Sequence, residues 1–348
     1  MPYPSSTHPT FVQGFPSALE ELRSMTGLSE PDFVFGLHSL LYAAGMNITL
    51  CDAEVLSGHA AQFIYNREHP ECAELSFVPP TETLFRSLDI TWKEVTPSGP
   101  ATAFEVIRRW IEGGRLTLAR FKEPILVFGF AQHSGSASLL AARPRARLAE
   151  ENISEAECEK KYWRYPLDEG NLLMCIEHAP RQIENLTALT AAAAHRAVRL
   201  WHISVLATCA VGDHAYRQLA ADMADPDVDF TDQKTSPWMG QALWRQWTPR
   251  ASSQRFFKRV APRFGGSDRA AYDKAAFCYE QCVESWKQWV ACLGPTWDLA
   301  RGGFARPHPD DFAARWRNPE LRAKGAHWIE QARGWEAKAI GELTKTIR

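Results

Sequence analysis

Between Phe33 and Cys51 the chain carries no charged side chain, and this stretch limits what the fold can be. Phe33, Val34, Phe35, Leu37, Leu40, Leu41 and Tyr42 cover every side of a helix written over 30–44. A helix that is apolar all round must be enclosed, by lipid or by protein. Gly36, His38, Ser39 and the stop at Gly45-Met46-Asn47 interrupt it and favour enclosure by protein. Its start is written in Ser29-Glu30-Pro31-Asp32, where Ser29 caps, Pro31 suits the first turn and Asp32 closes a capping box. Gly45 ends it.

The surrounding sequence is that of an ordinary globular protein. Its 348 residues suffice for two domains, and a net charge of -2 provides no electrostatic footprint for nucleic acid or an anionic membrane. The eight cysteines include no C-x-x-C pair, so the common zinc and redox motifs are absent. The opening MPYPSSTHPTFVQGF lacks the basic and apolar regions of a secretory signal, and a cytoplasmic location with reduced thiols is expected.

Short elements follow. FPSALEELRSM (15–25) reads as an amphipathic helix, 52–65 as a helix, a Ser57-Gly58 turn and a further short piece, and ELSFVP (74–79) as a strand. ETLFRSL (82–88) and FEVIRRWIE (104–112) read as helices, the second stopped by Gly113-Gly114. DITWKEV (89–95) alternates as a strand, and RLTLARF (115–121) and PILVFGF (124–130) form a hairpin. A polar stretch precedes a further strand at NLLMCIEH (171–178). The composition then turns helical. Helices are expected over 187–212, ended by Gly212, then after Asp213, over 268–293, and from 318 to the end. Tyr272, Ala276, Tyr279, Val283, Trp286 and Val290 make one buried stripe. The expected domains are 1–180, α+β with a small antiparallel sheet and a buried central helix, and 181–348, all-α.

GLHSLLYAAGMNITLCDAEVLSGHAAQF, the hairpin GGRLTLARFKEPILVFGF and GDHAYRQLAADM resemble blocks of the butirosin biosynthesis protein H family. The resemblance spans most of the chain through short motifs, and it implies a papain-like first domain. It implies an acyltransferase or an amide or thioester hydrolase of bacterial specialised metabolism. A small-molecule substrate and an acyl carrier protein are the partners it implies. The expected nucleophile is a thiolate at a helix N-terminus, activated by a histidine. Here the corresponding positions hold other residues. Counting thirteen back from Gly45 reaches Asp32, and six back from Gly129 reaches Glu123. The alternative reading is a non-catalytic protein that binds a small molecule or a partner.

The candidate catalytic residues are therefore Asp32, Glu123 and His59, two carboxylates able to share a proton and an imidazole able to receive it. Each has a plainer reading as a capping Asp, a solvated turn Glu and a turn His. Ser29, His38, Ser57 and Gly58 are the candidate ligand-binding residues; Ser29 also fits an N-cap and His38 a satisfied core histidine. His195, His202, His214 and Asp213 were weighed as metal ligands, but their spacing matches no metal motif, and neither a metal nor a cofactor is expected. Trp201, Trp238, Trp244, Trp247, Trp286, Trp289 and Trp297 either line a pocket or build core. Oligomeric state is not legible.

Overall fold

The computed structural model describes residues 10–11, 33–68, 79–121, 124–133, 136–143, 149–163, 171–206, 208–230, 243, 246–293, 296–298, 303–305 and 314–347. The expected helix at 15–25, residues 74–78 of the expected strand at 74–79, and Ser29, Asp32 and Glu123 lie outside these residues. The principal helices are α1 (Phe33–Ala43), α2 (Leu50–Leu56), α3 (Pro80–Ser87), α4 (Pro100–Glu112), α5 (Leu186–His202), α6 (Gly212–Ala224), α7 (Trp247–Val260), α8 (Gly266–Leu293) and α9 (Pro319–Thr344). The strands are β1 (Thr10–Phe11), β2 (Ile64–Tyr65), β3 (Thr91–Val95), β4 (Thr117–Arg120), β5 (Pro124–His133), β6 (Ser136–Arg143), β7 (Ala149–Ser154), β8 (Leu172–His178), β9 (Val205–Leu206), β10 (Cys209–Val211), β11 (Thr296–Asp298) and β12 (Gly303–Ala305).

The chain folds as two compact units. One comprises 1–53 and 85–184; the other comprises 54–84 and 185–348. The second break lies near the expected boundary at 180, whereas 54–84, read with the first domain in the sequence, groups with the helical one. Among the described residues no helix is long and apolar enough to cross a membrane.

The first unit is α+β. Its antiparallel sheet runs β3-β8-β4-β5-β6-β7, with β1 pairing β5 beyond the end of β4. The expected hairpin forms with Thr117 opposite Val127 and Arg120 opposite Pro124. Ile125, Leu126, Val127 and Phe128 are all buried, as are Leu173 to Ile176. Successive strand residues point to opposite faces, so both faces of the central strands are covered. Helices α1 and α4 each pack on β4, β5 and β8. Helix α1 comes so close to β4 that a methyl group on Gly36 would lie 2.8 Å from Leu118 Cδ1.

Both helices end as their glycines dictate. Gly45 adopts φ 84°, its N–H donates to the Tyr42 carbonyl and that of Met46 to Leu41. Gly114 and Arg115 repeat the pattern on Ile111 and Trp110 at the end of α4. These paired bonds satisfy carbonyls that a helix end leaves open.

The polar stretch after β5 contains two strands that the sequence reading did not assign. Strands β6 and β7 extend the sheet, with Val127 opposite Ala141 and Leu139 opposite Ile153. Alanine and arginine favour helix over strand when isolated, but the open edge of β5 offers unpaired backbone groups that override that preference.

The second unit is mainly helical. Helix α9 packs against α8, α6 and α5, and α7 packs against α8. The expected stripe on α8 is buried along its length, from Tyr272 to Val290. Segment 54–84 contributes β2, which pairs β10 of the small sheet β2-β10-β9. The long helix expected over 187–212 stops instead at His202. Ile203 is extended, and the chain turns through β9 and β10. Gly212 then opens α6 rather than ending α5. It takes φ 56°, and a methyl group there would lie 2.5 Å from the Trp201 carbonyl oxygen, so the two helix ends abut through a residue with no side chain.

Candidate functional site

Ser57, Gly58 and His59 form one turn in the second unit. Gly58 takes φ 83°, which a residue with a side chain adopts at a cost. The Ser57 hydroxyl donates to the Glu54 carbonyl at 3.0 Å and accepts from the His59 amide at 3.3 Å. Ser57 is fully buried and His59 half-buried. The turn leads through Gln62 and Phe63 into the core of the helical unit.

That core contains a closed ionic network. Arg250 donates through Nε and Nη2 to the two Glu336 oxygens, at 3.0 and 3.3 Å. Its Nη1 donates to the Gln62 carbonyl at 3.1 Å and to Gln246 Oε1 at 3.0 Å. Tyr216 donates its hydroxyl to Glu336 and accepts from Trp286 Nε1 at 3.1 Å. Arg250 and Glu336 are 0% and 1% exposed. Burial works against the charge on Arg250, but the Glu336 carboxylate beside it holds the guanidinium above its ordinary pKa. Burial likewise pushes the Tyr216 hydroxyl well up. Phe63 packs on Tyr216 and Trp286, with ring centroids 4.3 and 5.6 Å away. These groups are enclosed and mutually satisfied, which makes the network a structural tie.

In the first unit His38 is fully buried. Its Nε2 bonds the Ile48 carbonyl at 3.0 Å, and Nδ1 has no partner among the described residues. Burial lowers its pKa to about 4. It ties the chain after α1 back to that helix. Asp52 closes a capping box with Thr49 at the start of α2, the Thr49 hydroxyl donating at 2.8 Å.

Four of the buried thiols offer little nucleophilic character. Burial pushes Cys158 up to about 12 and Cys175 up to about 11. It also raises Cys278 and takes Cys282 well above the ordinary thiol value. Among the described residues no group of three or more His, Cys, Asp or Glu side chains is placed to hold a metal ion.

His202 and His214, but not His195, line a pocket of about 550 Å³. It lies within the helical unit, where the end of α5, the start of α6 and the middle of α9 meet. Buried Trp201 forms part of its wall, with Ile203 and Ala337. His202, Ser204, His214 and Arg217 are exposed at its rim. Asp213 is gripped from two sides: Arg217 Nε lies 2.7 Å from Oδ2, and Arg333 Nη1 donates to Oδ1 at 2.8 Å. Arg333 also donates Nε to Glu330 at 2.8 Å. Burial opposes the charge on Arg333, but Asp213 and Glu330 hold its pKa up.

The sequence reading singled out Trp201, His202, Asp213 and His214 but missed Arg217 and Arg333. Arg217 stands four residues after Asp213, a helical ion-pair spacing that was available. Arg333 comes from a distant helix and carries no local signal. The other described tryptophans divide differently. Trp286 and Trp289 are fully buried core with centroids 5.7 Å apart, and Trp247 is half-buried. Trp238 and Trp244 lie outside the described residues. No protein-family model and no curated protein matches the chain.

Proposed function

We propose that this chain is a small-molecule-binding protein whose ligand enters the helical-unit pocket beside Trp201, and that it does not act through a thiol. The observation that carries this reading is the pocket itself. Its volume falls in the range of small-molecule sites, roughly 300–1,000 Å³, and six polar lining residues stand beside the apolar surface of Trp201, Ile203 and Ala337. The raised thiol pKa values at Cys158, Cys175, Cys278 and Cys282 argue against the acyltransferase or hydrolase alternative at those positions. The reading retains the resemblance to the butirosin biosynthesis protein H family as an architecture, a papain-like packing of α1 on an antiparallel sheet followed by helices. It assigns ligand binding to the pocket beside Trp201 rather than to Asp32, Glu123 and His59.

A thermal-shift screen of small metabolites against the wild-type protein and Ala337→Trp tests it. The indole should fill the pocket, so ligands that raise the wild-type midpoint should leave the variant unmoved. Ligands that stabilise both equally place binding elsewhere. Acyl transfer abolished by alkylation of one cysteine would reinstate the thiol mechanism.

A further inference from the structure

Arg217 and Arg333 come from different helices and meet on one carboxylate, Asp213. A guanidinium carries five N–H donors in a rigid planar fork. Arg217 approaches Asp213 through Nε, and its two terminal nitrogens make no hydrogen bond among the described residues. Arg333 engages Asp213 and Glu330 through Nη1 and Nε and keeps Nη2. Asp213, by contrast, has both oxygens occupied. With Glu330 included, formal charge at this cluster is balanced, so charge alone does not select the ligand. Hydrogen-bonding capacity does: both guanidiniums keep unused donors, while each Asp213 oxygen is already engaged and Glu330, engaged through Oε2, does not line the pocket.

The pocket is therefore built to receive acceptors. Asp213 holds two forks in place, and fixing them beforehand reduces what a ligand must order on binding. The start of α6 lies at the same place, and its first-turn amides add positive potential. Trp201, Ile203 and Ala337 provide an apolar wall beside the donors.

We infer that this pocket takes the acidic group of a small molecule, a carboxylate or a phosphate monoester, between Arg217 and Arg333, with a flat apolar portion against Trp201. The inference rests on the pocket being the ligand site.

Calorimetric titration of the full-length protein with phenyl phosphate, benzoate and neutral benzyl alcohol tests it. One of the two acids should bind at least about tenfold more tightly than the alcohol. The acid that binds identifies the head group. Arg217→Gln, at a side chain 61% exposed, should weaken that acid about tenfold or more and leave the melting temperature unchanged. Equal affinities for acid and alcohol, or an unchanged affinity in Arg217→Gln, would overturn the acidic class. If the alcohol then still loses binding in Ala337→Trp, the pocket reading stands without it. If none of the three probes binds, the inference and the pocket reading fail together for ligands of this kind.

Discussion

His38 shows how a single buried side chain sets a condition on the whole first unit. Its imidazole is enclosed, with one nitrogen bonded to Ile48 and the other without a partner among the described residues, so a second proton finds no acceptor among them. Burial lowers its pKa to about 4 from an ordinary 6.5, against the opposing pull of the Ile48 carbonyl and Asp52. On unfolding, His38 regains the ordinary value. Between about pH 6.5 and 4 the unfolded chain thus binds the extra proton and the folded chain does not. Stability falls as pH drops through that window and is untouched by this group above it, by about 3 kcal/mol at full development. In His38→Gln, which keeps a donor for Ile48, the acid-side loss in chemical denaturation should shrink by that order. An unchanged pH profile would show that His38 is hydrated in solution.

At the scale of elements, helix ends are where this chain does its most specific work. The C-terminus of α6 is stopped by a side chain from α9. Arg322 donates Nε to the Met223 carbonyl at 3.1 Å, Nη1 to Val228 at 3.0 Å and Nη2 to Asp222 at 2.9 Å, and also reaches Asp225. It is 7% exposed and lies over the Phe230 ring at 5.1 Å. One guanidinium thus satisfies carbonyls that a helix end otherwise leaves unpaired in the interior. Arg322→Met keeps much of the volume and strands several acceptors. It should lower the unfolding free energy by about 2–4 kcal/mol, read from urea denaturation. A loss below about 0.5 kcal/mol would mean that water replaces the arginine. Helix α5 illustrates the opposite case, an end set from outside. Its sequence reads as helix up to Gly212, but the residues after His202 pair as β9 and β10, and the close approach at Gly212 lets α6 begin there.

At the scale of the molecule, the second unit is assembled from two separated segments. Residues 54–84 provide the Gln62 carbonyl to Arg250, the Phe63 ring to Tyr216 and Trp286, and β2 to the small sheet. Without them Arg250 remains buried with part of its donor set unmatched and the aromatic core has a gap. Losing one side of a buried charged network costs about 3–5 kcal/mol, and removing a core phenylalanine a similar amount. The fragment 185–348 should therefore fail to unfold cooperatively, although it contains all the long helices. Mixing in a peptide of 54–84 should restore a sharp calorimetric transition. Cooperative melting of 185–348 alone, at the full-length temperature, would show that the helices suffice.

What the sequence determined by itself are the features that depend on neighbours along the chain. The charge-free run over 33–51 demanded enclosure whatever enclosed it. Gly45 and Gly114 ended their helices because only a residue without a side chain enters the left-handed region cheaply. The two apolar runs within 117–127 produced a hairpin, and the apolar spacing on α8 chose its buried face. Strands β6 and β7, the end of α5 and the membership of 54–84 were decided only in three dimensions. Each depends on a partner that local sequence does not name: an open strand edge, a pairing strand, a buried arginine nearly two hundred positions away. The pocket divides the same way. Trp201, His202, Asp213 and His214 stood out as residue types, but Arg333 reached Asp213 only when α9 packed beside α6. Donors converge where elements meet, and that meeting is a property of packing rather than of local sequence.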